Sequence, residues 1–116
     1  MPTIHQDKAC YTVIVTVEAD DAATLGLMRE HASAGLDAFK AYEGYLAGAL
    51  HQSVEAHRLV QYVQWRDEAT YRACIEDPAW DRLPSAVLAL SAVQRGLARM
   101  DVRAYEVVRS VDAGGV

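Results

Sequence analysis

Residues 58–71, which read Arg-Leu-Val-Gln-Tyr-Val-Gln-Trp-Arg-Asp-Glu-Ala-Thr-Tyr, constrain the fold more than any other stretch of the chain. A run rich in β-branched and aromatic residues ends at Trp65, and Asp67 follows as a helix N-cap, so a strand must pass directly into a helix. Strand residues an even number apart share a face, which puts the Gln61 amide and the Trp65 indole on one side of a sheet. Tyr71, on the helix that follows, is positioned to close over both.

The flanking segments supply partners for that strand. Residues 9–17 are apolar, β-branched and aromatic with little alternation, the pattern of a strand covered on both faces. Asp20 and Asp21 then offer an N-cap, and Leu25, Met28, Ala32, Leu36 and Phe39 recur at helical spacing up to a stop at Gly44. Residues 45–53 and 58–65 form a hairpin around residues 54–57, a register that pairs Leu46 with Trp65 and Leu50 with Gln61 and sets Gly48 beside Val63.

Beyond the hairpin, Asp67 caps a short helix whose inward positions are Tyr71, Cys74 and Ile75, and Asp77-Pro78 stops it. A linker with Trp80 and Arg82 leads to Pro84 in the first turn of another helix. Its stripe runs through Val87, Leu90, Val93 or Gln94, Leu97 and Met100, with an end near Arg99. Residues 101–111 alternate like a last strand. The resulting order is an α+β, ferredoxin-like split βαβ domain with a four-stranded antiparallel sheet, spanning residues 9–111 between tails at 1–8 and 112–116. Helices cover one face of such a sheet, and apolar residues on the other face predict a second copy against it, forming a homodimer.

Composition removes several classes of function. With 11 basic and 16 acidic residues among 116, net charge −5 and no basic stripe, nucleic acid is not the expected partner. The polar start has no signal-peptide core and no segment reaches the run of about 18 apolar residues that a membrane span requires, so the expectation is a cytoplasmic protein with no membrane partner. Cys10 and Cys74 lack CxxC spacing and read as reduced, buried small hydrophobes. His5, His31, His51 and His57 have no metal-ligand spacing, and neither GxGxxG, a P-loop nor a nucleophile elbow occurs.

What remains is an amide, an indole, a phenol and a guanidinium: Gln61, Trp65, Tyr71 and Arg82. Each has a structural alternative. Tyr71 shares helical spacing with Cys74 and Ile75 as core residues do, Trp65 ends a strand, and Arg82 beside Asp81 suits a solvated surface. A helix-facing amide such as Gln61 costs free energy unless its donors and acceptor are satisfied, so it is either paired internally or turned toward a cavity.

These residues resemble the antibiotic biosynthesis monooxygenase family of dimeric α+β barrel proteins over residues 9–111, most closely its cofactor-independent, anthrone-oxidising branch. The likeness lies in Gly44-Tyr45-Leu46, in Leu50-His51-Gln52-Ser53, and above all in Gln61-Tyr62-Val63-Gln64-Trp65 followed by a helix bearing Tyr71. Trp65 and Tyr71 match that branch directly, Gln61 stands where asparagine is expected, and Arg82 aligns only approximately.

The resemblance implies oxygenation of an anthrone-like, polyketide-derived aromatic by O2 to a quinone, without metal, flavin or haem. Gln61 and the Trp65 N–H would stabilise developing oxyanion charge, and Tyr71 and Arg82 would hold substrate oxygens and help move a proton. Gly48 and apolar strand faces would shape a slot for a flat ligand. Haem-degrading relatives also carry a tryptophan at this strand position, but their axial histidine and first-strand asparagine have no counterpart in residues 84–99 or 9–17. The other alternative is a non-catalytic dimer that binds a small aromatic ligand or serves as a scaffold.

Overall fold

The computed structural model describes residues 10–111 and 113. The elements run β1 (Tyr11–Ala19), α1 (Ala22–Phe39), β2 (Tyr45–Gln52), β3 (Arg58–Trp65), α2 (Glu68–Ile75), a 3-10 turn (Pro78–Arg82), α3 (Ala86–Gln94) and β4 (Ala98–Tyr105). All pairings are antiparallel in the order β2-β3-β1-β4, which is the expected ferredoxin-like arrangement. The tail expected at residues 1–8 lies outside the described residues, as does most of the one at 112–116.

Local chemistry sets the helix starts. Asp21 accepts from the Thr24 backbone N–H at 2.7 Å to begin α1, and Asp67 does the same from Thr70 at 2.8 Å to begin α2. Both carboxyls are held below their ordinary range by those backbone hydrogen bonds first of all. Asp77 ends α2 and caps the turn that follows, accepting from Ala79 N–H at 2.9 Å.

Three expectations are corrected. The hairpin register holds for Leu50 with Gln61 and Gly48 with Val63, but Tyr45, not Leu46, lies opposite Trp65, because a bulge between Tyr45 and Ala47 shifts the pairing. The bulge turns the Tyr45 ring to the Trp65 side of the sheet, where the two rings meet edge-on at 5.8 Å. The third helix stops at Gln94 and not near Arg99: Gly96 adopts φ +75°, and β4 begins at Ala98. Finally, Ile75 and Leu90 are 45 % and 56 % exposed and reach the interior only as cavity lining, Val87 is exposed, and the buried residues of α3 are Ala89 and Ala92, while Val93 and Leu97 pack against the core as expected. Small alanines let α3 approach the core closely, which the larger side chains would prevent.

Alternation along the paired strands separates two faces. Val13, Val15 and Val17 of β1 lie beside Val63, Gln61 and Leu59 of β3 and look toward the helices. The other face carries Ile14 beside Tyr62 and Thr16 beside Val60, with the Glu18–Arg58 ion pair, at 2.6 Å, along one margin. No helix among the described residues is long and apolar enough to cross a membrane.

Candidate active site

Two core clusters meet beneath the helices. One is aliphatic, built on Val17, Leu25, Met28 and Leu59; the other surrounds Trp65 with Val13, Val63 and Cys74 and is ringed by Phe39, Tyr45, Tyr71 and Trp80. Val15 packs against both. Their junction is not filled. A cavity of about 150 Å³ is bounded by Met28, His31, Phe39, Gln61, Trp80 and Met100. A second, of about 140 Å³, shares Val15, Phe39 and Gln61 with it and extends to Trp65, Tyr71 and Val102. A third, of about 220 Å³, shares Met28, His31, Trp80 and Met100 with the first and reaches α3. Gln61 and Phe39 therefore stand in the wall between two adjoining spaces, and His31 and Trp80 between the next two.

The strand β3 delivers Gln61 and Trp65 to the same helix-facing side, as their spacing requires. Trp65 is wholly buried, and its indole N–H has no hydrogen-bond partner among the described residues. Leaving such a donor unpaired costs about 1–3 kcal/mol. Its ring is fixed by edge-on contacts to Phe39 at 5.5 Å and Tyr71 at 6.1 Å, so it has little freedom to seek a partner elsewhere.

Gln61 is 9 % exposed and donates from Nε2 to the Ala32 carbonyl of α1 at 3.0 Å. A carbonyl only accepts, so this bond fixes which end of the amide faces α1. One N–H is engaged; the other N–H and Oε1 make no further hydrogen bond among the described residues. The two outcomes open at the sequence level, internal pairing and a cavity position, thus both occur in one side chain.

Tyr71 is half-buried between Tyr11, at 5.4 Å, and Trp65, and it lines the cavity that holds Trp65. Burial pushes its phenol above the ordinary value, which keeps it a proton donor at neutral pH. Arg82 is not gathered with the other three. It is exposed at the end of the 3-10 turn and lines none of these cavities. Gly48 does not open the slot either, since a Cβ there would fall 2.9 Å from Leu36 Cδ2 and 3.0 Å from the Tyr45 hydroxyl. Its missing side chain lets α1 and Tyr45 close over the sheet.

Two lining residues stand outside the expected set. Trp80 donates from Nε1 to the Cys74 carbonyl at 2.6 Å and stacks on Tyr42 at 5.9 Å, which holds the turn against α2 and the segment that follows α1. Tyr42 in turn donates to Asp77 Oδ2 at 2.6 Å, and that bond, with burial, pushes its phenol up to about 12. His31 follows Met28 by three residues, and that helical period was the signal that it faces inward. No sequence signal brought Trp80 to the same place, because the turn's position depends on contacts distant in the chain.

No family model matches the chain, and no curated protein matches it in sequence. Solved structures do match in fold. A candidate antibiotic biosynthesis monooxygenase from Deinococcus radiodurans superposes with a TM-score of 0.67 at 15 % identity, covering 90 % of this chain and 99 % of that one. SnoaB, a cofactor-independent oxygenase from Streptomyces nogalater, gives 0.65 at 16 % identity with 89 % and 97 % covered. A dimeric ferredoxin-like protein from an uncultured marine organism gives 0.60 at 17 % identity with 88 % and 98 % covered. The shared property is the fold. At these identities the superpositions carry no substrate and no residue role to this chain.

Proposed function

We propose that the protein is a cofactor-independent monooxygenase that oxidises a flat polycyclic aromatic of the anthrone type with O2 to the corresponding quinone. The carrying observation is the Trp65 indole N–H, fully buried and without a partner among the described residues, on a side chain that lines an apolar cavity. A donor in that position is oriented before substrate arrives, and in a surrounding of low polarity it stabilises developing oxyanion charge far better than water would. The free N–H and Oε1 of Gln61 supply a second contact from the same strand, and the Tyr71 phenol a third from α2. Gln61 thus takes the role that the resemblance gives to asparagine with half of its amide nitrogen committed to α1. Arg82 has no part in this arrangement.

The reaction needs an acidic C–H, an enolate held by those donors, and O2 as the oxidant. A methylene carbon and O2 become a carbonyl and water, so no outside reductant is consumed. Ligand pockets usually enclose about 300 Å³ or more, whereas the cavities here are about 150, 140 and 220 Å³. A three-ring substrate therefore has to span adjoining spaces, with Phe39 and Gln61 as the wall that yields. The open sheet face, with Ile14, Val60 and Tyr62 at its centre, is the surface through which we expect two copies to pair, and sedimentation showing a monomer at micromolar concentration would exclude it.

The test is O2 uptake with anthrone in the presence of a chelator. Purified protein is expected to raise uptake above the rate of autoxidation, with anthraquinone as the product. An unchanged rate, with anthrone binding still detected by quenching of tryptophan fluorescence, would replace this proposal with the non-catalytic ligand-binding reading.

A further inference from the structure

His31 occupies a position that neither the fold nor the expected site residues explain. It projects from α1 into the wall between two cavities, next in sequence to Ala32, whose carbonyl receives the Gln61 amide. The histidine and the glutamine therefore line one cavity from two different elements.

The ring is held from a third. Nδ1 lies 2.8 Å from Ser85 Oγ, across 54 residues of chain. Ser85 is the N-cap of α3, where a serine ordinarily accepts a hydrogen bond from the first turn and contributes about 1 kcal/mol. Here its backbone is αR, with φ −79° and ψ −15°, and its side chain makes no capping bond. A cap interaction is given up and the hydroxyl orients an imidazole instead, a local rule broken at a cavity wall. In the tautomer that proton acceptance from a ligand requires, Nδ1–H donates to Ser85 Oγ, which leaves the lone pair on Nε2, a nitrogen with no hydrogen bond among the described residues.

Among the described side chains lining the first and third cavities, His31 is the single titratable group. Ser85 bonds it, Trp80, Met28, Met100 and Gln61 share its cavities, and none of these carries charge. We propose that His31, oriented by Ser85, is the base that removes the acidic C–H proton from a polycyclic substrate lying against Gln61. This rests on the oxygenase reading and supplies the proton acceptor which that reading lacks. Burial holds the imidazole below its ordinary pKa, so it is neutral and able to accept at neutral pH, while Tyr71 remains protonated and donates.

The step balances within substrate, O2 and this side chain. The C–H bond breaks, its electron pair stays on the substrate as the enolate, and the proton moves to Nε2. The carbanion forms a C–O bond to O2, which is reduced to a peroxide, and the imidazolium returns its proton to the outer oxygen. Loss of the second C–H proton with cleavage of the O–O bond gives the carbonyl and water.

The decisive experiment separates proton removal from oxygenation. Anthrone in D2O without O2 exchanges its methylene protons, which 1H NMR follows directly, and the same preparations then report O2 uptake in air. Wild-type protein is expected to accelerate both. His31→Phe should lose roughly 10²-fold or more of both rates, within the range for a general base, with KM little changed; His31→Gln serves as a second variant should the phenylalanine impair folding. Ser85→Ala should lower kcat and move the acid limb of the pH profile, which a purely structural serine would not do. If wild-type protein accelerates uptake and both histidine variants keep wild-type exchange with an unaltered acid limb, the base assignment is wrong and the oxygenase reading stands. If wild-type protein accelerates neither process, the oxygenase reading falls and the base role with it.

Discussion

The two halves of the core are built to different standards of completeness. Around Leu25 and Leu59 the interior is aliphatic, with Ala89, Ala92 and Ala98 closing it. Around Trp65 it is aromatic, with rings meeting at 5.1 to 6.3 Å, and it buries an indole N–H that no described residue satisfies. A folding core gains nothing from an unpaired donor, because the desolvation cost is borne without a compensating bond. The proposed function accordingly gives stability chiefly to the aliphatic half and ligand recognition to the aromatic half and the cavities at their junction.

Truncation in the aliphatic half should produce the largest loss of stability. Leu25 is 5 % exposed and lines none of the cavities at the junction, so Leu25→Ala should cost about 2–5 kcal/mol. Urea denaturation measures that loss, and oxygen uptake per folded molecule should stay at the wild-type rate. A fall in turnover matching the loss of stability would show that the two halves do not divide the work.

A smaller effect is expected at the rim of the aromatic half. The Tyr42–Asp77 hydrogen bond raises the Tyr42 pKa from 10 to about 12 and lowers that of Asp77. A phenol whose folded pKa is raised contributes stability that is fully present below pH 10 and is lost as pH rises toward 12. The carboxyl, being depressed, contributes above its ordinary value of 3.8 and loses that contribution as pH falls through its folded pKa. Tyr42→Phe should therefore lower the urea midpoint at pH 7, where both contributions are fully present, and flatten its alkaline decline between pH 10 and 12 and its acid decline. Equal shifts at all pH values would mean that ring packing on Trp80, and not the hydrogen bond, is what Tyr42 supplies.

Much of this organisation is legible from residue pattern alone. The span 58–65, the capping aspartates Asp21 and Asp67, and the pairing of Leu50 with Gln61 follow from period, turn length and cap chemistry, which act over short distances. The bulge beside Tyr45 was not legible, because no glycine marks it and it is a backbone response to the whole sheet. The boundary between α3 and β4 was obscured by Leu97 and Met100, which continue the helical period past Gly96 although the chain has already turned. For the site, β3 supplies Gln61 and Trp65 together because strand alternation is strict. Arg82 fails to join them since a position in a connecting turn carries no periodicity to fix its direction. His31 has the right spacing, but a lone imidazole facing a cavity leaves no metal-ligand pattern in the sequence.

The central claim is that the unpaired Trp65 N–H is a donor to substrate and not a packing defect. Trp65→Phe keeps a ring in the cluster and deletes that N–H, so oxygen uptake with anthrone and the urea midpoint, read on the same preparation, test it together. Removal of an unsatisfied donor offsets part of the lost packing, so stability should change by only about 1 kcal/mol. Turnover should fall about 10²- to 10³-fold, as it does when a single oxyanion donor is removed. Undiminished turnover in this variant would contradict the claim and return Trp65 to the core as a structural residue.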